Sequence, residues 1–160
     1  MINKTFIYNI FFFILMFLVQ LYWPAVSIKE NLYFQLDIVL IYITVLSIMY
    51  GRFMVIIVAF FGGLLQDATI FSVLGVFSLS KSIVAFCIGS IFNYRTIWSK
   101  NTQYIIVFIS YLFHFIISCY LTRGLNDTSY ISYILVSSVV PFILLIVVNN
   151  LIYKGKLFSN

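Results

Sequence analysis

The stretch that decides the fold is AFFGGLLQDATIFSVLG, residues 59–75. It is almost wholly apolar and carries two adjacent glycines, yet it places Gln66 and Asp67 inside the apolar run. The part before them, 53–65, has only 13 residues, whereas a bilayer core of about 30 Å needs roughly 20 helical residues. Extension through the two polar residues to Phe71 gives 19 residues. The pattern therefore predicts a membrane-spanning helix over 53–71 that holds a carboxylate within its outer third.

The composition of the whole chain indicates the same class of protein. The chain has 160 residues, of which 64% are hydrophobic and 8% are charged, whereas a soluble domain has roughly half apolar and about a quarter charged residues. A soluble core of this size cannot hide that excess, so the sequence predicts one integral membrane domain over 1–160. The net charge of +5 comes from cations scattered singly at the ends of apolar runs. That scatter argues against a nucleic-acid partner.

Six apolar runs predict an all-α bundle of six transmembrane helices, which are close enough in sequence for consecutive helices to be neighbours. The Trp23-Pro24 pair closes the first run, because the indole suits the headgroup level and proline stops a helix. The predicted spans are 5–23, 32–50, 53–71, 74–93, 103–121 and 130–152.

The distribution of lysine and arginine predicts the orientation. With a cytoplasmic N-terminus, the inner side would hold six cations and no acid, namely Lys4, Arg52, Arg95, Lys100, Lys154 and Lys156. The outer loops would hold only Lys29 and Arg123 as cations. Because cytoplasmic loops carry the excess of basic residues, we expect both termini on the cytoplasmic side.

Small and polar residues recur at helical spacing and predict where helices meet. Small residues four apart let membrane helices approach closely. The predicted structural seam or partner-binding surface consists of Asp37, Ala59, Gly63, Gln66, Asp67, Gly75, Lys81 and Gly89. Comparable polar stripes occur on the second helix (Asp37, Thr44, Ser47, Gly51) and on the fifth (Ser110, His114, Ser118).

Lys81 is the one basic residue well inside a predicted span, roughly 10 Å from its outer end. A tight turn joins the third and fourth helices, so we expect Lys81 to pair with Asp67 and to fix the register of the two helices. Other interpretations stay open. Asp67 could be an interfacial acid that caps a turn. Lys81 could extend its ammonium to the membrane surface. His114 is either a neutral residue bonded to a neighbouring helix or part of a proton relay.

The sequence favours a protein that is not an enzyme. It shows no paired carboxylates at helical spacing, no Ser-His-Asp order, no metal-ligand cluster and no nucleotide-binding fingerprint. One histidine and four acids leave few groups for acid-base chemistry. We therefore expect no catalytic residues, no metal and no cofactor.

The opening stretch resembles the signature of the MreD family of bacterial rod-shape-determining membrane proteins. Members carry a pattern close to G-F-x-x-G-L-L-x-D, with a Leu-Gly pair about eight residues later. The matching residues here are Phe60, Gly63, Leu64, Leu65, Asp67, Leu74 and Gly75. Ala59 replaces the leading glycine, and Leu36-Asp37 keeps the aspartate of an upstream Pro-Asp pair but not its proline. The chain length, the six runs and the proline in the last helix, Pro141, also agree.

The resemblance implies a non-enzymatic component of the cell-elongation machinery, which builds peptidoglycan in rod-shaped cells. It implies a place in the bacterial cytoplasmic membrane and helix-mediated binding to an MreC-like protein. MreB, RodA and a penicillin-binding transpeptidase are the further partners it implies. The helical layout of the family is also similar to the substrate-binding subunits of energy-coupling-factor transporters. That similarity provides an alternative, a vitamin-like small-molecule binder with Asp37, Asp67 and Lys81 lining its pocket.

Overall fold

The computed structural model describes residues 4–22, 26–29, 32–34, 36–70, 73–94, 96–123, 129–152, 154 and 157–158. Within these residues the chain forms six helices and one two-stranded hairpin. The elements are α1 (Lys4–Tyr22), β1 (Val26–Lys29), β2 (Leu32–Phe34), α2 (Ile38–Tyr50), α3 (Arg52–Ile70), α4 (Val76–Phe92), α5 (Lys100–Arg123) and α6 (Ser129–Leu151).

Five of the six predicted helices are confirmed with ends that differ by at most three residues. Three helices, α3, α5 and α6, are long and apolar enough to cross a membrane, and shorter apolar helices lie in α1, α2 and α4. The predicted span over 32–50 was wrong in its first part. Leu32–Phe34 is a strand that pairs antiparallel with β1, and the helix begins only at Ile38.

The late start of α2 has a local cause in the side chain of Asp37. Its carboxylate accepts a hydrogen bond from the backbone N–H of Leu40 at 2.9 Å. An aspartate at this position satisfies one of the amide groups that the first turn of a helix leaves unpaired. The carboxylate therefore fixes the beginning of α2.

Helix α2 is the innermost helix of the described bundle. It contacts α1, α3, α4 and α6, and the hydroxyl of Tyr111 from α5 reaches Thr44 at 2.9 Å. Its residues from Val39 to Ile48 are all buried. Because this burial is by the chain itself, protein surrounds these residues on every side. Because α2 touches protein rather than lipid, its 13 residues need not match the thickness of a bilayer.

Helices α3 and α4 run antiparallel and share the most extensive contact among the described elements. At one end, which we call the Asp67 end, α3 finishes and α4 begins. At the other, the Arg52 end, α3 begins and α4 finishes. The C-terminal segment also reaches the Arg52 end, where the ring of Phe158 stacks on Tyr104 with centroids 4.2 Å apart and packs against Phe92.

Candidate functional site

The candidate site lies at the Asp67 end and is centred on Asp37, which is buried. Gln20 of α1 holds the chain on both sides of this residue. Its amide nitrogen donates to the carbonyl of Leu36 at 2.7 Å, and its oxygen accepts from the N–H of Ile38 at 2.6 Å. The glutamine thus replaces water for two backbone groups that are buried. Asp37 is presented to the bundle interior from a rigid backbone.

Lys81 of α4 is fully buried and reaches across to this carboxylate. Its ammonium donates to both oxygens of Asp37, at 2.7 and 2.6 Å, and to the side-chain oxygen of Gln66 on α3. A buried ammonium is stable only when its charge is balanced and its three N–H groups are bonded. Asp37 and Gln66 supply those acceptors, so the lysine joins α2, α3 and α4 at one point.

His114 of α5 completes what we call the polar cluster, which consists of Asp37, Gln66, Lys81 and His114. Its Nε2 atom lies 3.4 Å from an oxygen of Asp37, longer than a good hydrogen bond. The side chain is fully buried and its ring packs against Phe77 and Phe115. The cluster therefore takes a polar group from each of four helices.

The predicted pair of Asp67 with Lys81 was wrong, because the lysine binds Asp37. Asp67 instead accepts hydrogen bonds from the backbone N–H groups of Gly75, Phe77 and Ser78, at 2.9, 3.0 and 3.3 Å. It is buried as well, and its charge acts on Lys81 from a greater distance. These N–H groups belong to the first turn of α4, which a carboxylate stabilises. Asp67 therefore caps the turn into α4, but as a buried structural acid and not as an interfacial one.

The glycine of the opening stretch that matters most is Gly63. A methyl group there would overlap the backbone of Ser78. The absence of a side chain lets α3 and α4 approach closely enough for the carboxylate of Asp67, one turn later, to reach the N–H groups of α4. Gly75 adopts a left-handed backbone with φ of 99°, which glycine accepts at low cost, and this turns the chain into α4.

The remaining seam residues lie where the helical spacing placed them. Ala59 is buried on α3 among α2 and α4 residues. Gly89 faces Arg52 at the far end of the same contact, where a Cβ atom would lie 2.7 Å from the Cα of the arginine. The other polar stripes also point inward, since Thr44, Ser47, Ser110, His114 and Ser118 are all buried. Gln66 also lies in the interior, where its side-chain oxygen accepts from Lys81.

Two participants were not identified from the sequence. Gln20 is a polar residue inside the first apolar run, and that exception to the pattern was the available signal. Tyr111 is fully buried and bonds to Thr44, whose own hydroxyl donates to the carbonyl of Leu40 at 2.9 Å. A tyrosine in this aromatic-rich chain carries no comparable signal.

The polar cluster and the Asp67 cap are better suited to holding the helices together than to catalysing a reaction of a substrate. The oxygens of Asp37 and Asp67 and the ammonium of Lys81 bond to each other or to backbone groups inside the bundle. Within the described residues, the amide nitrogen of Gln66 and both ring nitrogens of His114 are buried without a hydrogen-bond partner. These are the groups of the cluster with hydrogen-bonding capacity left. No protein family, no curated protein and no solved structure matches the chain.

Proposed function

We propose that this protein is an MreD-like, non-enzymatic membrane component of the bacterial cell-elongation machinery. The observation that carries the proposal is the structural role of the residues that carry the resemblance. Gly63 sets the approach of α3 and α4, and Asp67 closes their turn. A family whose function is to present a defined helical surface would keep a signature that sets this helix contact and this turn.

The surface of the bundle supports binding through helix faces. Large apolar side chains are exposed along α1, α3, α5 and α6, for example Phe11, Phe61, Ile109 and Ile143. In a membrane such faces contact lipid or the helices of a partner. An MreC-like protein is the first partner in this proposal, and MreB, RodA and a penicillin-binding transpeptidase would join the same assembly. Both termini lie in the cytoplasm, as the distribution of cations indicates.

The experiment that tests this function is deletion of the gene followed by scoring of cell shape. We expect rounded cells, restored to rods by the wild-type gene. A tagged wild-type protein should also co-purify with the MreC-like protein in mild detergent. Rod-shaped deletion cells, together with the absence of any MreC-like protein from the purified material, would refute the proposal.

The alternative function is the vitamin-like binding subunit of an energy-coupling-factor type transporter. The observation that favours it is the unused hydrogen-bonding capacity of Gln66 and His114 in a buried polar cluster. A polar ligand would supply the missing partners. Purification with a pair of transport ATPases instead of an MreC-like protein would favour this second function over the first.

A further inference from the structure

The described residues of the turn between α4 and α5 expose apolar side chains. The turn is described over 93–94 and 96–99. Ile97 is 76% exposed, Tyr94 is 63% exposed and Trp98 is 41% exposed. Hydrogen bonds hold the backbone, because the N–H of Ile97 donates to the carbonyl of Tyr94 at 3.0 Å and the side chain of Gln103 donates to the carbonyl of Trp98 at 3.1 Å. The fold thus fixes large apolar groups at the surface.

The rest of the Arg52 end has the same character. Phe53 is 74% exposed at the start of α3, and the guanidinium of Arg52 lies over its ring at 4.9 Å. Lys100 and Lys154 are exposed at this end. The two carboxylates of the described residues, Asp37 and Asp67, lie at the opposite end. This end therefore combines exposed aromatic rings with a positive charge that no described carboxylate balances.

We propose that the α4–α5 turn is an anchor in the interfacial layer of the membrane and binds anionic phospholipid headgroups. Indole and phenol rings favour the level of the headgroups, where one side of the ring is apolar and the other is wet. Lysines beside them attract anionic lipid. Trp98 and Tyr94 lie at the headgroup level, Ile97 reaches the acyl boundary, and Lys100 faces a lipid phosphate. This inference does not depend on the proposed partners.

The tryptophan content of the chain allows a direct test. The sequence has two tryptophans, so Trp23→Phe leaves Trp98 as the single reporter. The variant is placed in vesicles of phosphatidylcholine and phosphatidylglycerol, with bromine on lipid chains either near the headgroup or near the chain end. We expect shallow bromines to quench Trp98 more than deep ones, and iodide in the water to quench weakly. Subtracting the emission of Trp98→Phe from that of the wild type checks the result with Trp23 intact.

A matched control and a charge variant complete the experiment. In a background without the two native tryptophans, Ile109→Trp places the reporter about two and a half turns beyond the start of α5 at Lys100, so deep bromines should quench it more. At low salt, the quenching of Trp98 should show that brominated phosphatidylglycerol is enriched near it by about fivefold over brominated phosphatidylcholine. Lys100→Gln should remove most of that preference. Strong iodide quenching, deep bromines that quench Trp98 as well as shallow ones, or no lipid preference would each overturn the proposal.

Discussion

At the scale of single residues, the protein holds an ammonium in an apolar interior by giving it three oxygen acceptors. Removal of one member of a buried ion pair leaves an uncompensated charge, which costs more than the pair itself contributes. Asp37 is also the N-cap of α2, so its carboxylate serves two purposes. The cluster therefore fixes the position of α2 against α4 more than it strengthens the bundle.

The ion pair predicts a non-additive pair of substitutions. Lys81→Met leaves the charge of Asp37 buried, and we expect a loss of about 3 kcal/mol in the free energy of unfolding. Asp37→Asn keeps an acceptable N-cap but leaves the ammonium uncompensated, with a similar loss. The double variant should lose clearly less than the sum of the two. Unfolding by sodium dodecyl sulfate in mixed micelles, followed by circular dichroism, measures all three, and additive losses would show that the two groups are not coupled.

Asp67 predicts a different pattern, because its partners are backbone N–H groups. Asp67→Ala leaves those N–H groups of α4 buried without an acceptor, at about 1–3 kcal/mol each. Asp67→Asn keeps one acceptor oxygen, so we expect it to lose about half as much. Either loss should shrink only slightly in a Lys81→Met background, because the charge of Asp67 acts on Lys81 without a direct hydrogen bond. The same unfolding assay checks this, and strong coupling of Asp67→Asn to Lys81→Met would revive a direct pair.

At the scale of elements, the helices that face outward were predictable and the buried details were not. Long apolar runs define α3, α5 and α6, because they are apolar enough to span a membrane. The strand over 32–34 was missed because three apolar residues carry no periodicity that separates strand from helix. That error moved the start of α2 too early, so Asp37 was not identified as the N-cap of the helix. With α2 beginning at Ile38, Asp37 caps the helix, and its carboxylate accepts hydrogen bonds from Lys81.

The contact of α3 with α4 predicts opposite outcomes at two adjacent glycines. Gly63→Ala would push a methyl group into the backbone of Ser78, which cannot move without separating the helices. We expect a loss of about 3 kcal/mol or failure to fold. Gly62→Ala meets only the far edge of the Phe13 ring, which can rotate away, so the loss should stay below about 1 kcal/mol. Equal losses in the free energy of unfolding for the two variants would contradict the close approach of the helices at Gly63.

At the scale of the whole molecule, the short helix α2 is enclosed by other helices, and the outer helices carry the apolar surface. From the distribution of cations we expect the Arg52 end of the bundle to lie on the cytoplasmic side of the membrane and the Asp67 end on the outer side. A reporter fused after Asn160 should be active only as a cytoplasmic enzyme fusion, and one inserted after Asp127 only as a periplasmic one. Activity of both reporters on the same side would exclude six crossings.

Under the proposed function, we expect the buried charges of Asp37 and Lys81 to organise the bundle and to take no part in chemistry or ligand binding. The most direct measurement is complementation of the deletion strain by the double variant Asp37→Asn with Lys81→Met, expressed at a level matched to the wild type. We expect a folded double variant to restore rod shape and to co-purify with the MreC-like protein. A double variant that is as stable as the wild type in micelles and reaches the membrane, yet restores neither shape nor partner binding, would contradict the claim.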